Sequence, residues 1–183
     1  MLENLIELVK QQAGNAIVNN PAVPNEKNGE AVAIAGESIT SGLQQMISQG
    51  GLKQVLSMFS GKQDVNESNP AVQQISGNVA GSLMEKLGLN SQQAGGVASS
   101  LVPGVLQSLV QRVNDPSDNN FNIQHIFNSL SGGSTSGIDV QGLLNRFKAG
   151  LDQDGDGDVD LQDLTAAFSG GGLMDKLKGL FGR

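Results

Sequence analysis

Residues 152–163 read Asp-Gln-Asp-Gly-Asp-Gly-Asp-Val-Asp-Leu-Gln-Asp, with carboxylates at the first, third, fifth, seventh, ninth and twelfth positions and glycine at the sixth. When such a segment coils, alternate side chains turn inward, and six carboxylates held that close repel one another unless a cation sits among them. The chemistry selects a hard divalent ion, since Ca²⁺ takes about six to eight oxygen ligands. Asp152, Asp154 and Asp156 are expected to give side-chain oxygens, Asp158 its backbone carbonyl, Asp160 a water-bridged contact and Asp163 the closing carboxylate. Gly157 supplies the sharp turn, and Val159 points away from the ion, where it can pair in a short strand with a neighbouring loop. The competing reading is an acidic, solvated turn, because blocks of like charge are often disordered.

The segments on either side must hold this loop, and both carry helical spacing. Val140, Leu143, Leu144 and Phe147 recur on one face behind Asp139, a suitable N-cap. Leu161, Leu164, Ala167 and Phe168 follow until Gly170 to Gly172 stop the helix. Over residues 140–168 the chain therefore resembles the EF-hand, and its loop fits the pattern D-x-[DN]-x-[DN]-G-x₅-E at every position but the last. Asp163 replaces the closing glutamate, one methylene shorter, which implies weaker Ca²⁺ binding and better accommodation of Mg²⁺.

EF-hands usually come in pairs, and a second copy lies 38 residues upstream. Asn114 falls on Asp152, Val105, Leu106 and Leu109 on Leu143, Leu144 and Phe147, Phe121 on Val159, and Ile123 on Leu161. An apolar residue at the eighth position is what two loops need to pair through a short ladder. Most ligands are replaced: Pro116 stands at the third position, Asn119 where glycine belongs, and His125 at the close. Proline offers no side-chain oxygen and imidazole suits Ca²⁺ poorly, so residues 114–125 read as a degenerate hand kept for packing. A plain helical hairpin with similar turn residues is the alternative.

Composition narrows the function classes. A net charge of −7 provides no basic stripe for nucleic acid, and six of the 18 acids belong to the metal loop. Without cysteine there is no disulfide, zinc-thiolate site or thiol chemistry. His125 is the lone histidine, no G-x-S-x-G elbow occurs, and no glycine cluster has phosphate-cradling spacing, so the chain is expected not to be an enzyme. No secretory signal pattern and no apolar run of about 18 residues are evident, and cytoplasmic residence is the expectation.

The remainder reads as helix: one carrying Leu2, Leu5, Ile6 and Val9 that ends near Gly14 or runs on to Ile17 and Val18, then about 28–48, 52–59, a segment capped by Asn69-Pro70 and closed by Gly88, and a long one from Asn90 or Ser91 to Val113. Pro103 lies inside the last, and a kink or restart is expected near Val102. The stretches Gly50–Phe59, Gly81–Leu89 and Ala98–Leu106 resemble the YidB-type bacterial domain over roughly residues 36–115. That resemblance implies a small all-helical fold with no established activity and no catalytic residues to transfer.

The expected architecture is all-α: an N-terminal helical bundle (residues 1–101), an EF-hand-like helix-loop-helix pair (102–170) and an amphipathic tail (171–183). Three roles fit: a structural Ca²⁺ site in a protein-interaction module, a Ca²⁺-responsive switch exposing an apolar groove to a partner helix, or a self-associating scaffold with incidental metal. In the tail, Leu173, Leu177 and Phe181 lie at helical spacing beside Lys176, Lys178 and Arg183. Docking into the groove of the pair is preferred for it over a membrane surface, since three cations attract lipid only modestly.

Overall fold

Among the residues described by the computed structural model of the chain, 2–61, 63–115, 117–133 and 135–149, the backbone forms seven α-helices joined by turns, without a strand. The helices are α1 (Leu2–Ala13), α2 (Asn28–Ser48), α3 (Leu52–Phe59), α4 (Pro70–Leu87), α5 (Ser91–Val113), α6 (Ile123–Leu130) and α7 (Val140–Ala149). The all-α expectation holds.

Local chemistry accounts for the boundaries. α1 widens into a π-helical turn, Gly14–Val18, closed when the Asn19 N–H donates to the Gly14 carbonyl at 2.8 Å. Asn20 Oδ1 then accepts from the Ala22 N–H and turns the chain at Pro21. α4 starts where Asn69 Oδ1 accepts from the Ala71 N–H at 2.9 Å, with Pro70 at the first position where its missing donor costs nothing. It ends at Gly88, whose φ of 70° is a left-handed cap that a Cβ would strain. α5 opens with a reciprocal capping box in which Asn90 and Gln93 each accept the other's backbone N–H.

Of the kink or restart expected near Val102, the restart does not occur, for α5 runs through Pro103 as one helix. Proline in a helix frees the carbonyl four residues earlier. Here that residue is Ser99, which is exposed, so water can take the released acceptor. On the opposite face Leu101, Val102, Val105 and Leu106 are fully buried and hold both halves of the helix against the core.

α2 is the central element, packed by α1, α3, α4 and α6. Its Ile39, Leu43 and Ile47 meet a cluster that takes in Leu8 and Val9 of α1, Ile75, Val79 and Leu83 of α4, and Leu101 and Val105 of α5. α1 comes close enough that a Cβ on Gly36 would lie 2.8 Å from Ile6 Cγ1. The same cluster continues through Phe127 of α6 to Leu143 and Leu144 of α7. The boundary placed between residues 101 and 102 falls within α5, the helix shared by both halves, and the described apolar core is continuous across it.

Candidate functional site

The loop at residues 152–163, with Asp152, Asp154, Asp156, Asp158, Asp160 and Asp163, lies outside the described residues, as does the tail. What the structure places is the frame that leads into it. α7 enters from the N-terminal side: Asp139 Oδ1 accepts from the Gly142 N–H at 2.8 Å, the expected cap, and Val140, Leu143 and Leu144 are buried. The side chain of Phe147 lies outside the described residues.

α6 and α7 are clamped by a residue that spacing did not single out. Gln124 Nε2 donates to the Ile138 carbonyl, and its Oε1 accepts from the Val140 N–H, both at 2.9 Å. One side-chain amide thus ties the first turn of α6 to the first residue of α7. From below, Phe127 of α6 meets Phe59 of α3 edge to face, centroids 5.8 Å apart and rings at 72°.

The upstream loop is described, apart from Pro116. α5 ends at Val113 and α6 begins at Ile123, the tenth position of the loop, so helix, loop and helix follow one another as the repeat requires. The side chains of the loop serve the backbone. Asn114 Nδ2 donates to the Phe59 and Val110 carbonyls, both at 2.8 Å, turning the first position back toward α3 and α5. Asp115 Oδ1 accepts from the Ser117 hydroxyl at 2.6 Å and the Ser117 N–H at 2.9 Å, and these two bonds, the hydroxyl foremost, hold the Asp115 carboxyl below its ordinary pKa. Asp118 Oδ1 accepts from the Asn120 N–H, and Asn122 Oδ1 caps α6 by accepting from Gln124 and His125. His125, at the closing position, is exposed.

Phe121 is not in an extended segment ready for a ladder. The Asp118 cap winds Asn119–Phe121 into a 3₁₀ turn, and Phe121 is buried beneath Arg112, whose guanidinium carbon stands 5.2 Å from the ring centroid. Among the described residues no three His, Asp or Glu side chains stand together as a metal site. Asn114 Oδ1 is buried and takes no hydrogen bond, but one neutral oxygen falls far short of the roughly six to eight that Ca²⁺ takes.

No family model, curated protein or solved structure matches this chain. The functional reading therefore rests on the loop sequence and on the geometry around it.

The apolar face of this first helix-loop-helix is already covered. Leu109 of α5, Phe121 of the loop and Ile126 and Leu130 of α6 close around Leu5 of α1 and Leu43 of α2, leaving a cleft of ≈ 20 Å³, about the room of one water. Polar contacts at the rim fasten α1 there: Asn4 Nδ2 donates to the Asn120 carbonyl at 3.0 Å, and Arg112 donates to Gln11 Oε1 at 2.9 Å. No helix among the described residues is long and apolar enough to cross a membrane.

Proposed function

We propose that this chain is a metal-binding helical protein whose residues 152–163 hold one Ca²⁺, or Mg²⁺ more weakly, as a structural staple at the end of a preformed bundle. The donor set is the observation that carries the reading: six carboxylates at EF-hand spacing, with glycine at the turn, match a hard cation and little else. Asp152, Asp154, Asp156 and Asp163 contribute side-chain oxygens, Asp158 a carbonyl, and Asp160 a bridging water. The bound ion supplies charge neutralisation that these carboxylates cannot obtain from one another.

A staple is preferred to a switch because the groove of the first hand is filled. Leu5, Leu8 and Val9 of α1 are buried, and undocking them would cost about 1.5–3 kcal/mol each. That sum rivals the whole stability of an ordinary domain, about 5–15 kcal/mol, so an ion at the far loop is a weak lever against α1. A protein partner, on this view, meets the outer surface of the bundle. His125 stands exposed at the close of the first loop and is assigned no catalytic role.

Calorimetric titration of the chelated full-length chain with Ca²⁺ and then Mg²⁺ tests the proposal. One ion per chain is expected, with Asp152→Ala abolishing tight binding, and free Ca²⁺ a hundredfold above its Kd should stabilise the fold by about 2.7 kcal/mol. Two ions at saturation, or full affinity in the variant, would sink the assignment. A rise in apolar-dye fluorescence on adding Ca²⁺ would replace the staple with the switch.

A further inference from the structure

We infer that the loop at 114–125 is closed by a cation of the protein itself: the guanidinium of Arg112, at the end of α5, locks Asp118 of the loop to α1. Arg112 sits in the last turn of α5, two residues before the loop begins. Its Nη1 lies 3.5 Å from Asp118 Oδ2, the carboxylate at the fifth loop position, a side chain only 15 % exposed. Its Nη2 donates to Gln11 Oε1 of α1 at 2.9 Å, and its plane lies over Phe121 at the eighth position. One planar cation therefore touches the carboxylate, the hydrophobic pivot of the loop and the helix that covers it.

Each contact suits arginine more than lysine. A guanidinium offers five donors in a fixed fork, stacks on an aromatic face and sheds water readily, whereas an ammonium is a compact, strongly hydrated point charge. Stacked cations over aromatic rings contribute even where partly exposed. Glu7, which lines a surface cleft with Arg112 and Gln11, is paired with Lys10 at 3.6 Å, so Asp118 is the carboxylate that faces Arg112. With Asp115 engaged by Ser117 and Asp118 by Arg112 and Asn120, both acids of the loop are satisfied within the protein. The loop is closed without metal, and it is closed onto α1.

Calling the loop a hand rests on the proposed function, but the guanidinium lock does not, and its test is run without metal. Chemical denaturation of the full chain in chelator is measured for Arg112→Gln, Asp118→Asn and the double variant. Each single change should lower the folding equilibrium constant about tenfold, the scale of a partly screened charged hydrogen bond. The double variant should fall less than twofold further, because each partner acts through the other. Arg112→Lys should lie between. Additive losses, or a lysine variant as stable as the native chain, would overturn the lock. Should Arg112→Gln fail to fold, nitrogen-detected NMR of the native chain still decides: restricted Arg112 rotation that is lost in Asp118→Asn supports the lock, and free rotation in the native chain refutes it. Failure of Ca²⁺ binding at 152–163 would leave every one of these results in place.

Discussion

The segments 114–125 and 152–163 lie 38 residues apart in the sequence, and they carry opposite chemistry. A turn between two helices leaves backbone N–H groups to satisfy and brings acids close together. In the first loop Ser117 and Asn120, with Arg112 just before it, stand by two aspartates, so each carboxylate finds a donor nearby. In the second the sequence has no serine, asparagine or basic residue, and six of its twelve residues are aspartates. The comparison teaches that a loop with few acids can be held shut by donors and a positive charge from its own chain.

The sharpest way to break that contrast is through the packing beneath α6. Phe127→Ala removes the ring that locks α6 to Phe59, and a buried Phe→Ala change costs about 3–5 kcal/mol. If the first half is independent of metal, the loss measured by denaturation should be the same in chelator and in saturating Ca²⁺. A loss confined to one condition would show that the first half also depends on the ion.

A smaller effect is expected at the cap. Asn122→Ala takes the acceptor from the Gln124 and His125 N–H groups and should cost about 1 kcal/mol, seen as a lower thermal midpoint. Because Gln124 clamps the start of α7, the same variant should also weaken Ca²⁺ binding slightly in calorimetry; unchanged affinity would uncouple the two hands.

The smallest effect is one of pH. The Asp115 carboxyl is held below its ordinary value by Ser117, so its folded pKa is lower than its unfolded one. Its contribution to stability is therefore present above the ordinary aspartate range and is lost as pH falls through the depressed value. Ser117→Ala should flatten that part of the pH–stability curve, and an identical curve would show the hydroxyl to be idle.

Much of the helical frame was legible in residues whose chemistry is local. Asn69-Pro70, Gly88 and Asn90 mark ends that the structure reproduces, because a cap needs only neighbours within four residues. At Pro103 the sequence left a kink or a restart open, because the outcome depends on burial: with Ser99 exposed and the opposite face buried, the helix continues. The contacts that organise the first loop were out of reach for another reason. Gln11 with Arg112 and Asn4 with Asn120 join residues more than a hundred positions apart, and no periodicity records such a meeting. The Gln124 clamp spans 16 residues, and glutamine at that position is unremarkable by composition. The six aspartates of the proposed site remain legible as sequence alone.

That separation bears on the order in which the molecule is made. α1 leaves the ribosome early, yet the Asn120 carbonyl that fastens Asn4 is synthesised 116 residues later, a delay of some six to twenty-odd seconds at about 5–20 residues per second. In that interval Leu5, Leu8 and Val9 can shelter against α2, but the side facing α5 and the first loop stays open. α1 is thus enclosed only well after its own synthesis, and chaperones that read exposed aliphatic segments have an extended opportunity there.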